Sequence, residues 1–444
     1  MNRFALYCLA CLISLAAACS SWTHHGNVDR DGEMKDFTSN GGYAWQNYTV
    51  ESTRETWLHD DLPIEVSIMI PNAPGQLPVV VYLPGVGEDT GHGELWRRPW
   101  AQAGYVVVTL QPKQFGGDLW VINQLKPGDF KAIGKAIYSQ RALENRVVQL
   151  QWTLAKLAAR IRSGDKRYTN IDMGRMALVG YDLGTQTVMA LAGEKTGLTL
   201  PGPLPAFKSA IIISAHADPE AEQLSDRYAG IRMPLLLIGS EKDHDPAKIS
   251  TPTSRKLIWN GLPSGEKHLL LFDSANHRLL SGTMKDNYHW TEVIEPDTHE
   301  HRKKGTGDDG KNGARSNLGN GFLDALKTQL GMGQTPGALS AFGDPSSGGG
   351  MGGGGMGGGS GGGRGRQSNT SSSSDSGNKY KSHDEAIPAE EITLQTNAAR
   401  QMAIIVNVTT AFLDVTLKDS KEARAWLSTD CPAWLKDYAK WQQK

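Results

Sequence analysis

Gly180-Tyr181-Asp182-Leu183-Gly184 lies between the apolar run Met176-Ala177-Leu178-Val179 and a segment, Thr185 to Gly193, that reads as the start of a helix. The apolar run reads as a buried strand. Strand, sharp turn and helix together form the context of a nucleophile elbow. Glycines stand on both sides because so tight a turn has no room for a Cβ at either position. The central side chain is then pushed out above the sheet. Here that residue is an aspartate where a serine is usual, and Asp182 is expected to be displayed, not buried.

Further along, Leu235-Leu236-Leu237-Ile238-Gly239 is a second buried-strand run, followed by Ser240-Glu241-Lys242-Asp243. Asp243 is thus the candidate acid, in the loop at that strand's carboxyl end. Asp243 also has a helix-capping reading near Asp245-Pro246, which leaves Asp245 as the alternative acid. A third run, His268-Leu269-Leu270-Leu271-Phe272, leads through Asp273-Ser274-Ala275-Asn276 to His277, the candidate base. Upstream, Pro78-Val79-Val80-Val81-Tyr82-Leu83 runs into Pro84-Gly85-Val86-Gly87, a glycine turn suited to an oxyanion loop. Backbone N–H groups of Val86 and Leu183 are expected to converge on one oxygen.

Nucleophile, acid and histidine in that chain order resemble the α/β-hydrolase superfamily. Within it, the chain is similar to the bacterial dienelactone-hydrolase-like and platelet-activating-factor-acetylhydrolase-like branch. The resemblance runs from about Tyr48 to Thr283 and includes the closing helix. It is carried by the opening Leu77-Pro78 to Gly87, by Ala103-Gly104-Tyr105-Val106-Val107-Val108, by the elbow, by Gly239 to Asp243, and by Ala275-Asn276-His277-Arg278-Leu279-Leu280-Ser281-Gly282. Two positions depart from the pattern. Pro84 replaces a histidine common in the oxyanion loop, and Asp182 replaces the serine. The resemblance implies an α/β fold with an eight-stranded, mostly parallel sheet flanked by helices.

An aspartate changes the chemistry. Serine must lose a proton before it attacks, whereas an aspartate is ordinarily an anion near neutral pH. Its attack on an ester carbonyl gives a reactive mixed anhydride. Attack at a saturated carbon gives an enzyme ester, which His277 can clear through an activated water while Asp243 orients the imidazole. Haloalkane dehalogenases and epoxide hydrolases, other branches of the superfamily, work in this way. Leu183, however, stands where dehalogenases place a halide-holding tryptophan, and no tyrosine-bearing cap lies between Gly193 and Ser209. The expected substrate class is therefore a small ester, lactone, halide or epoxide, with no cofactor and no metal. The alternative is a non-catalytic, hydrolase-fold envelope lipoprotein that acts as a binding or scaffold protein.

Residues 1–18 read as a targeting segment. Asn2-Arg3 supplies a positive start, Phe4 to Ala18 is apolar, and Ala16-Ala17-Ala18-Cys19 ends the segment. This resembles a bacterial lipoprotein signal, with Cys19 lipidated and Ser20-Ser21 suited to outer-membrane sorting. Ordinary secretory cleavage at an Ala-x-Ala site is the alternative. The expected location is the bacterial cell envelope, with the membrane engaged through the N-terminal lipid. Cys8 and Cys11 leave with the signal and Cys431 stands by itself, so the four cysteines supply no disulfide framework.

Residues 19–45 are polar and read as a flexible tether, and 46–295 as the hydrolase core. Strands are expected near 48–52, 64–70, 79–83, 105–110, 176–179, 209–214, 235–239 and 268–272. Leu143, Val147, Leu150, Leu154, Leu157 and Ile161 recur at helical spacing within 141–162, marking a helix with one face on the sheet. Residues 296–385 break the composition. Much of the chain's content of 51 glycines falls in the tract Gly348 to Gly363, followed by a serine-rich run. Such a stretch reads as a disordered insertion of unknown protein partner. A helix then resumes near Ala389 with Ile404, Val408, Phe412 and Val415 on one side, so that 386–444 completes the domain. The formal net charge of −1 in 444 residues gives no electrostatic reason to expect nucleic acid. The pieces around Arg364-Gly365-Arg366 read as solvated spacer. His24-His25 and His299 with His301 lack the further spaced ligands a metal site needs.

Overall fold

A computed structural model of the chain describes residues 27–116, 130–199, 205–217, 224–245, 249–283 and 389–444, which belong to one compact unit. The signal segment, Cys19, His24, His25, His299, His301 and the glycine-rich insertion lie outside the described residues.

The expected strands form, as β1 (Val50–His59), β2 (Leu62–Pro71), β3 (Leu77–Leu83), β4 (Val106–Pro112), β5 (Ile171–Tyr181), β6 (Phe207–Ile213), β7 (Leu235–Lys242) and β8 (Lys267–Asn276). A ninth, β9 (Ala439–Gln443), corrects the expected count of eight. The sheet order is β1-β2-β4-β3-β5-β6-β7-β8-β9. Pairing is parallel from β4 through β8 and antiparallel for β1–β2, β2–β4 and β8–β9. The protein is thus α/β, with a nine-stranded, mostly parallel sheet flanked by helices.

The strand sequences account for this placement. β3 and β4 are buried at every residue, as befits parallel strands covered on both faces. β1 alternates and lies at an edge. It joins β2 through Asp60 and Asp61, both at positive φ (49° and 61°), the signature of a two-residue hairpin.

Alternation along the strands divides the core. Val79, Val81, Val106, Val108, Leu178 and Ile212 face one side, against α4 (Gln140–Arg162). Leu143, Val147, Leu150, Leu154 and Leu157 are the buried stripe of that helix, and Ser139 caps it by accepting the Ala142 N–H. Val80, Tyr82, Val107, Val179, Ile213 and Leu270 face the other side, against α2 (Glu94–Gln102) and α9 (Ala389–Lys418). Between these lie α3 (Phe130–Ile137), α5 (Leu183–Ala192), α6 (Leu224–Tyr228), α7 (Pro252–Gly261) and α8 (His277–Ser281).

Two expectations need correction. Residues 30–39, inside the expected tether, form α1 (Arg30–Ser39), capped by Asp29 and packed on α9. Glu33 pairs with Arg400 at 2.6 Å, the Val28 N–H donates to Gln395, and Phe37 meets Trp434 at 4.9 Å. The polar composition concealed a helix whose energy comes from tertiary contacts. Second, α9 does not close the chain. It is followed by α10 (Lys421–Ala425), a π-helical turn at Trp426–Asp430, α11 (Cys431–Leu435) and then β9. No described helix is long and apolar enough to cross a membrane.

Candidate active site

β5 delivers Tyr181, the chain turns at Asp182, and α5 begins at Leu183. The two glycines are required by contact. A Cβ on Gly180 would lie 2.6 Å from the carbonyl carbon of Gly184, and one on Gly184 would lie 2.1 Å from the Leu83 oxygen. Asp182 itself holds φ 47° and ψ −111°, a conformation that L-residues resist and that persists only where its surroundings impose it. The expected sharp turn is present.

The side chain is not displayed, however. Asp182 is only 6% exposed. One carboxylate oxygen, Oδ2, accepts the Val86 N–H at 3.1 Å; the other, Oδ1, accepts the Tyr138 hydroxyl at 2.6 Å. The loop after β3 and the end of α3 therefore close over the elbow. Tyr138 stacks on His216, with ring centroids 3.9 Å apart, and burial lifts its phenol well above the usual range for tyrosine. Leu183 packs beneath, with Phe115, Ile137, Tyr138 and Ala142.

The expected acid and base meet. His277 Nδ1 lies 2.8 Å from Asp243 Oδ1. Ser214, at φ 54° just past β6, places its Oγ 3.0 Å from both of those atoms. Arg255 on α7 completes the group, with Nη1 3.1 Å from Asp243 Oδ1 and hydrogen bonded to the Asp243 carbonyl, and Nε donating to Ala215 O at 2.8 Å. Burial by itself would raise the Asp243 carboxyl, but the Arg255 charge and the His277 contact outweigh it and hold the group below its ordinary value. Burial would likewise lower His277. The hydrogen bond to Asp243 and the charges of Asp243 and Asp182 instead raise it to about 9. That charge effect links the elbow to the acid–histidine pair. Asp245, the alternative acid, accepts the N–H groups of Ile249 and Ser250.

Tyr138, Ser214, Arg255 and Glu88 were not singled out from sequence. Ser214 could have been found, because it follows a buried strand at the sheet's carboxyl edge, where ligands of open α/β sheets bind. Nothing in the sequence marks Tyr138 or Arg255, which arrive from the turn after α3 and from α7. Glu88 sits in the loop carrying Val86, and its Oε2 accepts the Gly85 N–H at 2.8 Å. Among the described residues, no group of three or more His, Cys, Asp or Glu could hold a metal ion.

No protein-family model and no curated protein matches this sequence.

Proposed function

We propose that the chain is an α/β-hydrolase-fold enzyme in which Asp182 is the nucleophile, His277 the base and Asp243 its orienting acid. The observation that carries this reading is the strained Asp182, its carboxylate on the Val86 N–H and its charge acting on a histidine already held by Asp243. The substrate is small, in the class of halides, epoxides, esters and lactones. A saturated carbon is the preferred target, since attack there yields an ordinary ester on the enzyme.

In the first step Asp182 Oδ1 releases the Tyr138 hydroxyl and bonds to carbon. The carbon–leaving-group bond breaks and its electron pair departs with a halide or an epoxide oxygen. In the epoxide case the freed Tyr138 O–H supplies the proton. Esterification removes the negative charge of Asp182, one of the charges that raise His277, so the imidazolium gives up its proton to solvent more readily once the intermediate has formed, and the neutral ring is free to act as a base. It then takes a proton from water, whose oxygen adds to the ester carbonyl. The Val86 N–H, with that of Leu183, stabilises the oxyanion. Collapse expels the alkoxide, which takes the proton from His277 and leaves Asp182 as the carboxylic acid; that acid then returns its proton to the Tyr138 phenolate in the epoxide case, or to His277 in the halide case, and the carboxylate is regenerated.

A His277→Gln variant is expected to complete the first step and stall. Intact-protein mass spectrometry across a panel of halides, epoxides, lactones and esters should then find an adduct on the Asp182 peptide. Absence of any adduct, with wild type and Asp182→Ala equally inert, would sink the enzymatic reading. A second reading, a binding or scaffold protein, is favoured by one observation: both oxygens of Asp182 are engaged and the residue is buried. That reading requires the wild type to turn over nothing in the panel. In either case we propose that the chain is carried on the envelope membrane by lipid at Cys19.

A further inference from the structure

Tyr138 reaches Asp182 from the short turn between α3 and α4. The carbonyls of Ile137 and Tyr138, at the end of α3, have no acceptor role left to play inside that helix. Both instead accept from side chains of other helices. Arg146 Nη1, on α4, donates to Ile137 O at 2.8 Å, and Gln186 Nε2, on α5, donates to Tyr138 O at 2.7 Å.

The two side chains are also joined to each other. Arg146 Nη2 donates to Gln186 Oε1, and its Nε donates to Thr187 Oγ1 at 3.1 Å. The guanidinium lies over the Phe115 ring, 5.1 Å from its centroid. Arg146 is 5% exposed, and all of these acceptors are neutral. Burial pulls the guanidinium down to about 9, opposed by Tyr138 and the Asp182 charge, so it remains a cation at neutral pH. Taking such a charge out of water is costly, and an apolar chain could fill the same space. What an apolar chain cannot supply is a planar fork that bonds the end of α3 and the side of α5 at once. Because α5 begins at the elbow, that fork sets the turn bearing Tyr138 in register with Asp182.

The geometry points to Arg146 and Gln186 as a buried clamp that positions the Tyr138 hydroxyl on Asp182 Oδ1 as the proton donor of the first step. Both are positioning residues that act through Tyr138. The clamp rests on the reading of Asp182 as nucleophile, and it divides the substrates of that reading. An epoxide oxygen takes the Tyr138 proton as its bond to carbon breaks, whereas a halide leaves as an anion and takes none. Loosening the clamp therefore penalises the epoxide alone.

Two variants test this. Gln186 is half-buried, and Gln186→Met keeps its length and neutrality while losing the donor to Tyr138 O. Arg146→Lys keeps the charge but loses the fork. In the full chain carrying His277→Gln, labelling of Asp182 by 1,2-epoxyhexane and by 1-bromohexane is followed by intact-protein mass spectrometry, with thermal unfolding as the check on folding. Each variant is expected to slow the epoxide about tenfold or more, out of the ~10²–10⁴ that a positioned proton donor contributes, and to leave the bromide within about twofold. In a folded Gln186→Met chain, equal effects on the two probes overturn the clamp and leave Asp182 as the nucleophile. So does a crystal structure of that variant with the Tyr138 hydroxyl unmoved on Asp182. A parent chain labelled by the bromide alone also overturns the clamp. If neither probe labels the parent, the nucleophile reading itself fails and the clamp falls with it.

Discussion

Glu88 is a buried carboxyl whose proton is linked to folding. Burial pushes it up to about 7 from an ordinary value of 4.5, the Asp182 charge adds to the rise, and His92, the Gly85 N–H and His277 oppose it. Stability associated with a raised acid is present below its unfolded value and lost as pH rises through its folded value. Glu88→Gln keeps an acceptor for Gly85 and removes the charge. It is expected to match wild type in urea unfolding near pH 4.5 and to exceed it at pH 8 by roughly 1–3 kcal/mol. An equal change at both pH values would refute the assignment. His277 obeys the same sign rule: raised from 6.5 to about 9, it contributes stability below pH 6.5 that disappears as pH climbs through 9. His277→Gln should therefore cost about 2–4 kcal/mol at pH 6 and clearly less at pH 10. A pH-independent cost would mean that the charged pair with Asp243 does not stabilise the fold.

Among the elements, α9 is the one most enclosed by others, buried continuously from Gln401 to Val415. The stripe Ile404, Val408, Phe412 and Val415 was legible as one apolar side. The opposite side carries Asn407, Thr409 and Thr410, and has no apolar stripe to mark it as buried. In the fold those hydroxyls turn back to the helix's own carbonyls, Thr409 to Ile405 and Thr410 to Val406. Trp100 Nε1 then donates to Thr409. Satisfied in this way, they can be buried beneath α1 and the C-terminal helices. Phe412, 1% exposed, packs edge-on to His268 at 5.8 Å. Phe412→Ala is expected to destabilise by about 3–5 kcal/mol in urea unfolding. A loss under about 1 kcal/mol would show that the helix is not part of the cooperative core.

For the whole molecule, the proposed lipid at Cys19 has the widest consequence, because it fixes the chain to a membrane face. Cys19→Ala is expected to abolish metabolic lipid labelling and membrane retention, and an unmodified mature N-terminus in wild type would overturn the claim. Within the described fold, the positions of eight strands along the chain, the sharp turn at Asp182 and the places of Asp243 and His277 after their strands could be read directly from the sequence. Those features are local, since a buried parallel strand is a continuous apolar run and an elbow is five consecutive residues. Tertiary structure decided what depends on distant partners. It set Tyr138 on the Asp182 carboxylate and joined Ser214 and Arg255 to the acid–histidine pair. It also turned part of the expected tether, Arg30–Ser39, into a helix on α9, and placed β9 on the edge of β8. Each of these joins residues far apart in sequence, through contacts whose energy exists only after the chain has folded and which leave no periodic mark on the segments that make them.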